Sequence, residues 1–107
     1  MRLEVTVYGF GSVFVAHDGN ETIAQDVDLL IVHRSTYAAS CQFAILCKRR
    51  LAACVADAHI TMLSAGEEQH FQFIRMARAV RLGAIRADHI VDDLRTIITA
   101  VPNLGKC

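Results

Sequence analysis

The run Asp26-Val27-Asp28-Leu29-Leu30-Ile31-Val32 constrains this chain more than any other segment. Its start alternates a carboxylate with an apolar side chain and its end is continuously apolar, the pattern of a strand buried on both faces in the middle of a sheet. Such a strand needs neighbours. Leu3, Val5 and Val7 alternate with Glu4 and Thr6 and supply one with a single buried face, ending at the glycine-punctuated turn Tyr8-Gly9-Phe10-Gly11-Ser12. Ala58 to Leu63 supplies a third, short strand.

Helices account for most of the rest. Ser35 or Thr36 can cap a helix running to about Val55, with Lys48-Arg49-Arg50 in its later turns, where cations suit the negative end of the helix dipole. Ser64-Ala65-Gly66-Glu67 fits a capping box, and the helix it opens is expected to reach about Leu82, with Gly83 as its stop. Asp88 can cap a last helix, along which Ile90, Leu94, Ile97 and Val101 form an apolar stripe that Pro102 ends. The expected fold class is α+β, a short mixed β-sheet covered by helices on one face.

The 107 residues suffice for one domain, expected over 1–102, with 103–107 as a tail. A 53% hydrophobic and 21% charged composition places the chain among globular proteins. Lys+Arg and Asp+Glu number 11 each, so there is no strong nucleic-acid binding signal, and a polyanionic partner must be met locally. No apolar run approaches the roughly 18 to 20 residues of a spanning helix, and Met-Arg-Leu-Glu-Val-Thr-Val has no signal-peptide core. A cytoplasmic location without a membrane partner is expected. Cys41, Cys47, Cys54 and Cys107 match no zinc or disulfide framework, and Cys47 and Cys54 share a helix face as small core residues.

Asp26 and Asp28 carry the sharpest chemistry. Strand alternation points both side chains the same way, about 7 Å apart, so two carboxylates can converge on one cation. Two negative charges so close destabilise a fold unless a cation sits between them, and magnesium carrying phosphates takes such oxygen ligands. Gly11-Ser12 complements them: a glycine turn that exposes backbone N–H groups beside a hydroxyl can cradle phosphate. An Asp-rich strand start facing water is the structural alternative.

Gly-Ser after one strand, followed thirteen residues later by Asp-Val-Asp opening the next, resembles the signature of the nucleotidyltransferase superfamily, in particular its small single-domain prokaryotic members. The likeness covers roughly Leu3 to Leu63, and the Ser64–Glu67 helix start is similar too. It implies transfer of a nucleoside monophosphate from a nucleoside triphosphate, ATP by expectation, to a hydroxyl acceptor. Gly11 and Ser12 would then be nucleotide-binding, and Asp26 and Asp28 would be catalytic and hold Mg²⁺ or Mn²⁺. It further implies a helical protein partner, as in the antitoxin half of a toxin–antitoxin pair, or a homodimer.

The chain departs from that pattern at the third carboxylate. The nearest alignment puts His59 where the acid belongs, and Asp57 substitutes only with a shift of strand register. No arginine follows Gly-Ser, and Gln25 stands where a serine is common. A catalytically degenerate binding or regulatory domain is therefore the alternative function.

Other polar residues have structural readings. His17, His33, His70 and His89 show no metal-ligand spacing, and His33, closing its strand, is expected to be exposed. Glu67 and Glu68 read as helix-opening acids. Arg75, Arg78 and Arg81 form a basic stripe on the expected helix, able to meet a partner or a nucleotide phosphate. Phe71 and Phe73 cannot share a helix side, leaving one for an intermolecular contact.

Overall fold

The computed structural model describes residues 3–11, 14 and 27–101. In chain order these form β1 (Glu4–Phe10), β2 (Val27–His33), α1 (Ala38–Cys54), β3 (Ala58–Ser64), α2 (Ala65–Phe71), α3 (Phe73–Ala77), β4 (Val80–Arg86), a 3₁₀ turn (Ala87–His89) and α4 (Ile90–Thr99). The sheet order is β3-β2-β1-β4, with β1 antiparallel to β2 and β4, and β2 parallel to β3. This is an α+β fold on a mixed sheet, as the strand and helix patterns imply.

The apolar run makes β2 an inner strand, with Leu29, Leu30 and Ile31 fully buried. Helices α1 and α4 cover one face of the sheet. There Val5, Val7, Ile31 and Ile85 meet Phe43, Cys47 and Leu51 of α1 and Leu94 and Ile97 of α4. A smaller cluster of Val27, Leu29, Val55 and Val101, with Phe14 against it, closes the end near the β1 turn. On the opposite face Leu30 is buried too, and Phe73 at the start of α3 meets the ring of Phe10 edge-on, with centroids 5.0 Å apart. Phe71 is the member of the pair left exposed.

Several elements differ from expectation. The helix opened by Ser64 does not reach Leu82: it breaks at Gln72 and again at Arg78, both in the left-handed region, at φ 53° and 56°. The Gln72 N–H donates to Glu68 O, the Glu68 carboxylate accepts from Ile74 N–H, and the Ala79 N–H closes onto Ile74 O. After these breaks Val80–Arg86 is a fourth strand. Pairing with β1 satisfies its backbone and buries Ile85, a tertiary gain that overrides local helix propensity. Gly83 is therefore no helix stop. A Cβ there would lie 3.1 Å from Ile97 Cγ1, so glycine admits α4 close to the strand.

The basic stripe dissolves with that helix, since Arg75 lies on α3, Arg78 caps it in a left-handed turn, and Arg81 belongs to β4. Helix α1 begins later than Ser35 or Thr36 would set it. Its cap is Tyr37, which makes no side-chain cap bond, while Ser35 Oγ accepts the Tyr37 N–H and Ser40 Oγ the Ser35 N–H. Cys47 is a buried free thiol, pushed up to about 12 by burial, whereas Cys54 is disulfide-bonded rather than a free core residue. The expected tail, Pro102, His17 and the loop around it lie outside the described residues.

Candidate functional site

The site is built where β1 ends and β2 begins. Gly9, Phe10 and Gly11 close β1, and each glycine there has a steric reason. A Cβ on Gly9 would run into the ring of Phe14, which returns over the strand through a turn in which Phe14 N–H donates to Gly11 O at 3.0 Å. Gly11 has φ 85°, strained for any side chain, and a Cβ there would collide with the Asp28 carboxylate. The carboxylate of Asp28 thus lies directly against the glycine turn, bringing together the described halves of the two motifs.

Register supplies the rest of the row. Asp28 pairs with Phe10 on β1 and with His59 on β3, so the three side chains stand side by side on one face of the sheet. Asp57, the other candidate, is not in that row. It sits in the exposed turn between α1 and β3 at φ 57°, and its carbonyl accepts the Val27 N–H at 3.1 Å. Ser12 and Asp26 lie outside the described residues. Among the described residues no group of three or more His, Cys, Asp or Glu side chains is placed to hold a metal ion.

Arg81 gains meaning from β4. It pairs with Tyr8 of β1, two residues or about 7 Å from Phe10, and so shares the sheet face with Asp28. A sequence reading that placed it on a helix misses this. The register shift between Val7 and Tyr8, which leaves Leu82 as the extra residue, is what turns Arg81 to that face.

At the far end of β2 and β3 a second polar group is buried. His33, far from exposed, is 6% accessible, and its Nδ1 lies 2.8 Å from Ser35 O. In register beside it, Ser64 forms the expected capping box: its Oγ accepts the Glu67 N–H at 3.1 Å and its N–H donates to Glu67 Oε1 at 2.8 Å. That backbone bond, with lesser help from the Ser64 hydroxyl and His33, holds the Glu67 carboxyl below its ordinary range. Glu67 is a capping group, and the cluster ties α2 to the sheet.

Fold and site define an α+β domain with a mixed four-stranded sheet whose antiparallel inner pair carries a glycine turn against an aspartate. Comparison with protein-family models, with curated proteins and with solved structures finds no match to this chain. Among the described residues no helix is long and apolar enough to cross a membrane.

Proposed function

We propose that the chain is a magnesium-dependent nucleotidyltransferase that moves a nucleoside monophosphate from a nucleoside triphosphate such as ATP to a hydroxyl acceptor, the acceptor oxygen bonding to the α-phosphorus as the α–β anhydride bond breaks and pyrophosphate leaves. The single observation that supports this reading is the Asp28 carboxylate lying against the left-handed Gly11 turn, which sets a residue able to ligate a cation beside the glycine turn proposed to meet phosphate. Asp28 fits magnesium as a hard oxygen donor, and Asp26 and phosphate oxygens are the donors that would complete the set. His59 beside it is a donor that magnesium does not favour. When bound, the ion neutralises phosphate charge and polarises the transferred phosphoryl group.

The chain's own residues have distinct tasks in this reading. Gly11 leaves room for the Asp28 carboxylate to lie against its backbone, where a side chain would displace it, and Ser12 would offer a hydroxyl to a phosphate. Asp28 is the residue that would hold the cation beside that turn. His59 is the general base that takes the proton of the acceptor hydroxyl.

A second reading, nucleotide binding without transfer in a regulatory domain, is favoured by the imidazole beside Asp28 where a third carboxylate would be needed. One experiment separates the two. The protein is incubated with labelled ATP and Mg²⁺ or Mn²⁺, beside Asp26→Ala and Asp28→Ala. Transfer of label that both substitutions abolish supports the transferase, and binding without transfer supports the regulatory reading. If neither nucleotide nor metal raises Tm, both readings fail.

A further inference from the structure

Helix α1 turns a second packing surface away from the sheet. Its inward stripe, with Phe43, Ala44, Cys47 and Leu51, is buried in the core. On the outward side Ile45 and Leu46 are 40% and 37% exposed at the middle of the helix. Gln42 and Arg49 lie on either side of them, followed by a pair of exposed alanines toward each end. A solvated helix face is ordinarily polar, and this one is largely apolar and small.

The outward positions are mirrored about the midpoint between Ile45 and Leu46. Ile45 reflects onto Leu46, Gln42 onto Arg49, Ala39 onto Ala52 and Ala38 onto Ala53. A two-fold axis demands this kind of self-complementarity, in which residue i meets j of the partner and j meets i. We propose that α1 pairs antiparallel with α1 of a second copy of this chain, about a two-fold axis through that midpoint. The apolar pair then forms the centre of the seam. The alanines let the helices approach at the close end of the usual 8–10 Å separation.

Charge layout selects the antiparallel arrangement. Helix α1 contains no acid, so its cations have no carboxylate partner within the helix. A parallel pair would set Arg49 against Arg49. In the antiparallel pair each Arg49 guanidinium donates to the amide oxygen of Gln42 across the seam, and the two Arg49 positions stand about 10 Å apart along the axis, near a Debye length. Neither side chain has a hydrogen-bond partner among the described residues. Lys48 and Arg50 project to either side of the seam and stay in water. This inference does not rest on the nucleotide reading.

One helix pair is small beside the roughly 1,600 Å² of a standard interface, so the dimer is concentration-dependent, monomeric at about 1 μM and dimeric at about 1 mM. Sedimentation of the full chain across that range tests it. Ile45→Glu is expected to abolish the dimer, and Gln42→Glu to tighten it about 3- to 10-fold by giving each Arg49 a carboxylate, twice per dimer. Both positions are exposed, and an unchanged circular dichroism melt shows that each variant folds. A chain that stays monomeric throughout overturns the proposal, as does a dimer whose dissociation constant neither substitution changes.

Discussion

Gly9→Ala is expected to destabilise the domain, and the same substitution is expected to stabilise it once Phe14 is gone. In the folded chain an added Cβ would stand 2.6 Å from Phe14 Cε2 and closer still to two other ring atoms. The ring has little freedom to retreat, because it packs against Val27, Leu29, Val55 and Val101 and its backbone N–H is held by Gly11 O. Overpacking of this kind costs about 1–3 kcal/mol. With Phe14→Ala the obstacle is removed. Gly9 has no positive φ, so alanine there should gain about 0.5–1 kcal/mol over glycine in a strand. The two substitutions therefore couple by about 2 kcal/mol, within the range found for residues in contact. Urea unfolding of the wild type, both single variants and the double variant, followed by circular dichroism, measures the cycle. With a slope near ~1.5 kcal/mol/M the coupling appears as a midpoint difference of about 1.3 M. Equal effects of Gly9→Ala in the two backgrounds would refute the placement of the Phe14 ring on the strand.

Three further outcomes follow from the packing and the titrating groups. The Asp93 carboxylate accepts from Arg86 Nε and Nη2 and from its backbone N–H, each at 2.9 Å, and these bonds hold its pKa below the ordinary 3.8. The pair thus stabilises the fold at neutral pH and the contribution is lost as pH falls below about 4; with Arg86 solvent-exposed, Asp93→Asn should cost about 1 kcal/mol at pH 7 and flatten the acid limb of a Tm–pH profile. Ser64→Ala removes one half of the capping box and should cost about 1 kcal/mol, read as a fall of about 4 °C in Tm. Cys47, buried and pushed up to about 12, should resist iodoacetamide at pH 8 in the folded protein while half-buried Cys41 reacts, and both should react in denaturant.

What was legible in the chain was whatever depends on periodicity or on a local cap. The central β2, the end of α1 at Val55, the capping box at Ser64 and the stripe Leu94, Ile97, Val101 all rest on neighbours within a few residues. What stayed hidden depends on partners far along the chain. Gln72 and Arg78 break a plausible helix by adopting a left-handed conformation that usually announces itself with glycine or asparagine. Their break frees Val80–Arg86 to pair with β1, some seventy residues upstream, which no local pattern encodes. His33 shows a subtler failure. A histidine closing a strand reads as solvated, yet the chain turns so that the carbonyl of Ser35 satisfies its ring and the side chain can be buried.

The site divides along the same line. Two glycines and an aspartate could be singled out by residue type, but whether Asp28 stands beside an acid or an imidazole is a matter of register, and register is a pairing property. Here the Val27 N–H bonds the carbonyl of Asp57, which ends the turn from α1 and starts β3 in step with β2. Asp57 lies two residues before His59 and in a continuous strand would point to the same face. Its φ of 57° takes it out of strand geometry instead, in a conformation that a short polar side chain tolerates better than most. Asp57 therefore has a backbone reason for its residue type that needs no chemistry from its carboxylate. The same turn that holds the start of β2 in place commits the row across the sheet to Phe10, Asp28 and His59, so a third acid beside Asp28 has to come from outside β3.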